Sequence, residues 1–174
     1  MTTMRSFLLS TVACSTLFAS AQAPPVLSDS TTQAIDAEVW RPFVNAFNMR
    51  DAEAFMALHA KPVIRWPLGW GLPQTADSLR VQSARNWSLP VPQGEVHFIE
   101  LYFTHRSHTD SFEFDIGYYR VVIMRDDGNG RQFVGHFSTI LGKAEGRWKI
   151  FLDADNSDGV TDEALKHATP LRME

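Results

Sequence analysis

The sequence predicts an α+β protein in which three N-terminal helices pack on a curved antiparallel sheet. Apolar residues recur at every fourth position near the N-terminus, as on the buried face of a helix, whereas residues 95–155 are dense in Val, Ile, Phe and Tyr. The motifs DDGNG and KAEG separate the last three apolar runs and are typical of hairpin turns. The 174 residues, 44% hydrophobic and 21% charged, suit one globular domain.

The helices are predicted from capping residues and apolar spacing. Hydroxyl groups at positions 30–32 can cap the first helix. Its predicted buried face carries Ile35, Val39, Phe43 and Phe47. Pro42 lies inside this pattern and, because it lacks a backbone donor, should kink or split the helix. Asp51 can cap a second, short helix, and a third is predicted from Thr75 to about Asn86.

Four strands are predicted after Gly94, where the composition changes. They cover residues 95–106, 111–125, 131–143 and 147–155. Helices followed by an antiparallel meander place the helices on one face of the sheet.

The N-terminus has the order of residues found in secretory signal peptides. Arg5 precedes an apolar run over residues 7–19, and small residues follow at 19–21. We expect residues 1–21 to be removed, residues 22–31 to form a flexible lead, and the protein to be exported to the periplasm or beyond the cell. The alternative is a lipid anchor at Cys14, because TVAC is similar to a bacterial lipoprotein site.

Charge and motif content argue against several classes of partner. The formal net charge is −4 and the Lys and Arg residues are scattered, whereas a nucleic-acid backbone requires a basic cluster. The N-terminal apolar run is shorter than the roughly 20 residues of a membrane span, so no stable membrane insertion is expected. The sequence has no phosphate-binding glycine motif, nucleophile elbow or metal-ligand spacing. We therefore predict no cofactor and no metal.

Two stretches of the chain carry a resemblance to a known superfamily. VWRPFVNAFNMRDAEAFMALHA resembles the helical opening of nuclear-transport-factor-2-like proteins, and GYYRVVIMRDDGNGRQFVGHFSTILGKAEGRWKIFLDADNS resembles their closing strands. The GRWKI signature is most similar to the SnoaL-like branch, which holds many secreted bacterial proteins of unknown function. The likeness covers residues 32–158 and leaves 159–174 as a C-terminal tail. It implies a cone-shaped fold with a pocket at its wide end, and frequent dimers.

The same resemblance allows a test for ketosteroid isomerase chemistry, which uses a carboxylate base, a tyrosine and a protonated aspartic acid. The matching positions hold Phe43 for the tyrosine, Trp66 for the base and Ser138 for the acid. All three functional groups are missing, which argues against isomerisation by that mechanism.

Hairpin geometry predicts a different set of polar residues. The KAEG turn, taken as a four-residue loop, places His136 opposite Asp153. One face of the two strands would then carry His136, Ser138, Ile140, Phe151, Asp153 and Asp155. The other face, with Phe137, Leu141 and Trp148, is apolar. The mixed face suits a pocket lining, and the resemblance points it inward.

His136 beside Asp153 has the arrangement of a general base, although such a pair can equally be a structural contact. The DDGNG turn, with Arg125 opposite Arg131, places Arg120 beside His136. If Arg120 points inward it favours an anionic ligand, but the apolar alternate residues of its strand leave the inward face undecided.

Aromatic residues complete the predicted pocket. The segment RWPLGWGLP is expected to form a loop at the pocket mouth, where Trp66 and Trp70 stack on a flat ligand or only cap the core. Trp40 and Phe43 form the apolar floor or belong to the core.

These observations predict an exported protein that binds a small molecule without turnover. The alternative is a cofactor-free lyase or isomerase with His136 as base and Asp153 as its orienting partner. A homodimer is expected through the apolar face of Phe137, Leu141 and Trp148, unless helices cover that face.

Overall fold

The structure is a computed structural model that describes residues 30–69 and 71–174. The predicted signal peptide with Cys14, all but the last two residues of the predicted lead, and Trp70 lie outside the described residues. The helices are α1 (Ser30–Ile35), a π-helical turn (Asp36–Trp40), α2 (Arg41–Met49), α3 (Ala52–Ala57), α4 (Ala76–Ser88) and a 3₁₀ helix (Asp162–His167).

The predicted split of the first helix is present and has the predicted cause. Pro42 lies in the first turn of α2, directly after the π-helical turn that joins α2 to α1. The wider turn accommodates a proline that cannot donate a backbone hydrogen bond. Asp51 caps α3 as expected, since its Oδ1 accepts a hydrogen bond from the Ala54 amide at 2.9 Å.

Seven strands form one curved mixed sheet in the order β2-β1-β6-β5-β4-β3-β7. Their bounds are β1 (His59–Pro67), β2 (Gln74–Thr75), β3 (Glu95–His108), β4 (Phe112–Arg125), β5 (Gly130–Ala144), β6 (Arg147–Asn156) and β7 (Thr169–Pro170). The meander β3–β6 is antiparallel, as the turn motifs predicted.

One strand departs from the sequence prediction. Residues 59–67 form β1, which lies parallel to β6, although part of this segment was predicted to be a loop. The prolines at 67 and 73 suggested a loop, but Pro67 only ends the strand, and Pro62 falls where the β1–β6 register shifts.

The helices cover the concave face of the sheet, and this is where the core lies. Phe137 and Trp148 are each only 4% exposed there, and Leu141 is fully buried. These are the residues through which the sequence predicted a dimer. That interface is wrong, because helices cover this face.

Residues 159–174 are not a free tail. The 3₁₀ helix crosses the convex face, where Gln132 Nε2 donates to Asp162 Oδ2 at 2.7 Å. The chain then adds β7 to the outer edge of β3, and the Leu171 amide donates to the Leu101 carbonyl at 2.8 Å. Leu165 is buried, so the packed domain extends beyond the predicted boundary at residue 158.

Candidate functional site

The helices and the concave face of the sheet enclose a cavity of about 260 Å³. Its walls are mostly aromatic. The apolar lining consists of Trp40, Phe43, Phe47, Phe55, Trp87, Ile99, Leu101, Tyr119, Val121, Phe133 and Phe137. Trp40 and Phe43 thus line the cavity, as the sequence predicted. The volume lies just below the usual range of about 300–1,000 Å³ for ligand pockets, which suits a compact ligand.

The aromatic walls are held together by ring contacts between helices and sheet. The Trp40 ring lies 5.8 Å from that of Phe43 and 5.7 Å from that of Phe137. The Phe43 ring also contacts Phe55, and the centroids of Phe55 and Trp87 are 5.1 Å apart in an edge-to-face contact. Edge and tilted geometries are those that aromatic rings prefer, so the cavity has defined, preformed walls.

One wall of the cavity is polar and is centred on Arg65. Its Nη1 donates to Asp155 Oδ1 at 2.7 Å, and its Nε lies 3.3 Å from Asp153 Oδ2. Thr139 Oγ1 donates to Asp153 Oδ1 at 3.2 Å, and Tyr119 Oη donates to Asp155 Oδ2 at 3.3 Å. All five residues line the cavity. We call them the Arg65 cluster.

The charges of the Arg65 cluster reinforce one another. Burial alone would lower the pKa of Arg65, but the Asp153 charge and the Asp155 hydrogen bond outweigh it and raise that pKa above its usual range. Burial, followed by the Asp155 charge, also raises the pKa of Tyr119. The Tyr119 ring has room because Gly135 faces it, and a Cβ there would lie 2.2 Å from Tyr119 Cζ. Arg65 is charged and Tyr119 is neutral at physiological pH.

A β-bulge determines which carboxylates reach the cavity. Ile140 pairs with Leu152 and Leu141 pairs with Ile150, so Phe151 is an extra residue on β6. Strict alternation would put Ile150 and Asp153 on opposite faces. With the bulge, Ile150 enters the core and Asp153 and Asp155 enter the cavity on the same face.

The bulge and the turn together overturn the predicted His136–Asp153 pair. Glu145 and Gly146 both have positive φ, at 54° and 77°, and form a two-residue turn with Ala144 paired to Arg147. The register therefore differs from the one predicted. His136 pairs with Asn156, whereas Asp153 pairs with Thr139 on the opposite face of the sheet. His136 is not the base of an Asp153 dyad.

The other residues predicted to share the face of His136 also lie on the convex side, away from the cavity. His136 contacts Tyr118 with ring centroids 5.6 Å apart, and burial lowers its pKa. Ser138 lies between His136 and Ile140 on the convex side, because every second residue of β5 points to the same face. Phe151 packs beside Gly142, where an added Cβ would lie 3.0 Å from its ring. Their predicted places in the pocket are wrong.

Arg120 and Trp66 are on the convex side as well. Arg120 Nε donates to Glu100 Oε2 at 2.6 Å, and its Nη2 donates to Tyr102 Oη at 3.0 Å. Trp66 lies beside Ala154 of β6 and is 43% exposed, so it does not form the pocket mouth. The arginine that points into the cavity is Arg65, which directly precedes Trp66 in the sequence.

Arg65 and Tyr119 were not among the predicted site residues, although the sequence carries a signal for Arg65. Val63 is 2% exposed and Arg65 follows it two positions later on the same strand. That alternation is typical of a strand, but it was hidden by the flanking prolines. Tyr119 was grouped with the apolar residues of β4, and no polar partner was predicted for it. Its partner Asp155 is on β6, which is not adjacent to β4 in the sheet.

A second buried charge cluster supports the cavity floor from behind. Arg106, 5% exposed, donates through Nε to Glu113 Oε1 at 3.1 Å and to Asp115 Oδ1 at 3.0 Å. Its Nη1 donates to Asp36 Oδ1 at 2.7 Å. Trp40 Nε1 donates to Asp115 Oδ2 at 2.7 Å. The Arg106 cluster therefore anchors the tryptophan whose ring lines the cavity.

His59 is the buried histidine behind the polar wall. Its Nδ1 donates to the Phe55 carbonyl at 2.9 Å, and burial lowers its pKa despite the Asp153 charge. Within the described residues, no group of His, Cys, Asp or Glu side chains could hold a metal ion. No helix in residues 30–69 or 71–174 has the length and apolar character to span a membrane.

Comparison with solved structures assigns the fold. A conserved protein from Planctomyces limnophilus aligns with a TM-score of 0.60 at 17% identity, over 73% of this chain and 95% of its own. A ketosteroid isomerase-like protein from Erwinia carotovora aligns with a TM-score of 0.57 at 13% identity, over 76% and 99%. A nuclear-transport-factor-2-like protein of unknown function from Shewanella oneidensis aligns with a TM-score of 0.57 at 15% identity. The alignment covers 72% of this chain and 98% of that protein.

The chain therefore has the nuclear-transport-factor-2-like fold, which confirms the predicted fold. No protein-family model matches the sequence, and no curated protein matches it. Placement in the SnoaL-like branch stays a prediction.

Proposed function

We propose that this protein binds a compact small molecule in the aromatic cavity. The observation that carries the proposal is the combination of apolar, mostly aromatic walls with a single polar cluster at one side. This is the composition of ligand pockets, in which apolar walls supply affinity and a few polar groups fix orientation. The signal-peptide pattern supports the further proposal that the protein acts after export.

Filling the cavity is expected to abolish binding without unfolding the protein. Val121 lines the cavity, and the adjacent Val122 points to the convex face. We expect Val121→Phe to weaken binding of neutral probes such as indole or naphthalene-2-methanol by at least about tenfold, because the added ring occupies their volume. The measurement is the dissociation constant of each probe from isothermal titration calorimetry, because indole and naphthalene themselves absorb and emit in the range of tryptophan fluorescence.

Val122→Phe is the matched control, because it adds the same ring to the other face of the same strand. Its probe affinity should stay within about threefold of the wild type. Thermal unfolding of both variants verifies the fold. Equal probe affinities of the Val121→Phe and wild-type proteins would contradict the proposed cavity site, as would a wild-type protein that binds neither probe.

Catalysis is a second candidate, supported by the two carboxylates that line an apolar cavity. With His136 on the convex face, a cofactor-free lyase or isomerase would use Asp153 or Asp155 as general base. Arg65 and Thr139 or Tyr119 would orient that carboxylate. Turnover that is lost in Asp153→Asn and Asp155→Asn while binding is retained would distinguish this candidate from simple binding.

We propose that a homodimer forms through the convex face instead of the concave one. Four apolar side chains from adjacent strands lie in one row there: Ile64, Leu152, Ile140 and Phe114. Three of them are conspicuously exposed, Ile64 at 46%, Phe114 at 39% and Ile140 at 37%. Such a patch is rarely left in water by a monomer, and the superfamily resemblance implies frequent dimers.

A charge in this row should dissociate the dimer. In an isologous interface each substitution occurs twice, so Phe114→Lys places two lysines in the same contact and raises the dissociation constant by at least about a hundredfold. Light scattering during gel filtration measures the molar mass. Val81→Lys, on the exposed side of α4, is the control and should stay dimeric. A wild-type protein with the mass of one chain would disprove the dimer.

A further inference from the structure

The Arg65 cluster leaves a net negative charge on the cavity wall. Arg65 contacts both Asp153 and Asp155, and among the described residues that line the cavity no other is a Lys or an Arg. Two carboxylates beside one guanidinium give the three groups a formal net charge of −1. An anionic ligand would meet an arginine that is already neutralised, together with the surplus charge of the second carboxylate.

The hydrogen bonds of the Arg65 cluster also favour a ligand that donates hydrogen bonds. Arg65 Nε and Nη1, Thr139 Oγ1 and Tyr119 Oη are all directed at the two carboxylates. Each carboxylate oxygen receives one of these contacts, whereas an ionised carboxylate offers about four acceptor positions in all. The side chains of Asp153 and Asp155 stay 12% and 18% exposed. The two carboxylates therefore present open acceptor positions to a ligand that supplies donors, beside the remaining N–H groups of Arg65.

The remaining walls favour a cation. The rings of Trp40, Trp87 and Tyr119 all line the same cavity as the two carboxylates. The face of an aromatic ring carries negative electrostatic potential, and tryptophan and tyrosine attract cations most strongly. A positive group in this cavity thus meets both a surplus of negative charge and aromatic rings, and its apolar body can pack against the phenylalanines that also line it.

We propose that the cavity selects an organic cation, namely a protonated amine on a compact one- or two-ring apolar body. The inference deepens the proposed binding function and rests on it. It also reverses the anionic ligand that an inward arginine suggested, because here the inward arginine is paired with two carboxylates.

Three probes of one shape and different charge test the selection. They are naphthalene-2-methylamine, naphthalene-2-methanol and naphthalene-2-carboxylic acid, titrated into the full exported chain at pH 7 by calorimetry. The amine should bind about tenfold more tightly than the alcohol, and the carboxylic acid at least tenfold more weakly than the alcohol. The comparison needs no variant, so it does not depend on the folding of a mutant.

Asp155→Asn then locates the effect. The amine should bind this variant about tenfold more weakly, and the affinity of the alcohol should stay within about threefold, because asparagine keeps the shape of the side chain and removes its charge. Asp110→Asn makes the same change at an exposed site outside the cavity and should alter neither probe. Equal binding of amine and alcohol, or preferred binding of the acid, would overturn the cation inference while leaving the binding function in place. If none of the three probes binds, the binding function fails as well.

Discussion

Replacing Arg106 by methionine is expected to lower the free energy of unfolding by about 3–5 kcal/mol at pH 7. Arg106 is the cation among three carboxylates, those of Asp36, Glu113 and Asp115. Methionine has similar length but no charge, so it leaves buried carboxylates without their counterion. Removing one member of a buried ion pair costs far more than the pair itself contributes, because the remaining charge stays desolvated.

Urea unfolding of the wild type and Arg106→Met measures this loss. Arg80→Met is the matched control, since Arg80 pairs with Glu53 at the surface, where the two side chains are 51% and 81% exposed. The control should change stability by less than about 1 kcal/mol. The loss in Arg106→Met should shrink as the pH falls, because protonation of Asp36, whose pKa is raised by burial, removes one of the charges that lack a counterion. A loss below about 1 kcal/mol at pH 7 would show that the Arg106 cluster is not held together by this guanidinium.

The Arg106 cluster connects stability to the site through one hydrogen bond. Asp115 accepts from the Trp40 indole at 2.7 Å, and Trp40 contacts Phe43, Phe103 and Phe137. The indole is therefore fixed at its polar edge by Asp115 and at its ring by the core. A cavity floor held in this way does not need a ligand to take shape.

Features set by local sequence were predictable. Four-residue apolar spacing, the Pro42 position and the Asp51 cap produced the helices, and dense β-branched and aromatic runs between glycine-containing turns produced β3–β6. Each of these signals acts over a few residues, so no knowledge of distant contacts was required.

The errors came from features that are set by distant contacts. Because Phe151 is an extra residue in β6, the residues after it point to the opposite face from the one that strict alternation predicts. No local sequence pattern marks this bulge. The inward face was assigned to the mixed polar set around His136 because the purely apolar alternate set was interpreted as an interface. The helices bury that apolar set instead. Asp153 and Asp155 line the cavity on the face opposite His136, and their partner Arg65 comes from β1, which is parallel to β6 and far away in sequence.

Glu113 is expected to make the protein less stable as the pH rises toward 8. Burial, followed by a hydrogen bond and charge repulsion from Asp115, raises the pKa of Glu113 to about 8 from an ordinary value of 4.5. The folded protein therefore holds a proton that the unfolded chain releases above pH 4.5. The resulting stabilisation is complete below pH 4.5 and is lost at about 1.4 kcal/mol per pH unit until Glu113 ionises near pH 8.

Glu113→Gln should remove most of this slope. The amide stays neutral, can donate to Asp115 as the protonated acid does, and can accept from Arg106. Near pH 5 the variant and the wild type should differ by less than about 1 kcal/mol, whereas at pH 8.5 the variant should be more stable by roughly 2–4 kcal/mol. Burial also raises the pKa of Asp36, against the opposing effect of the Arg106 charge. Asp36 is present in both proteins, so its contribution to the pH dependence cancels in the comparison.

The measurement is the free energy of urea unfolding at half-unit steps from pH 5 to pH 9. Glu163→Gln, at an exposed pair with Lys166 in which both side chains are 67% exposed, is the control and should follow the wild-type curve within about 0.5 kcal/mol. His108 Nδ1 lies 3.6 Å from Glu113 Oε2, so the comparison is repeated in a His108→Gln background, where the difference in slope should persist. Parallel wild-type and Glu113→Gln curves would mean that Glu113 is already ionised in the folded protein at pH 5. The Arg106 guanidinium would then outweigh both burial and the neighbouring Asp115 charge.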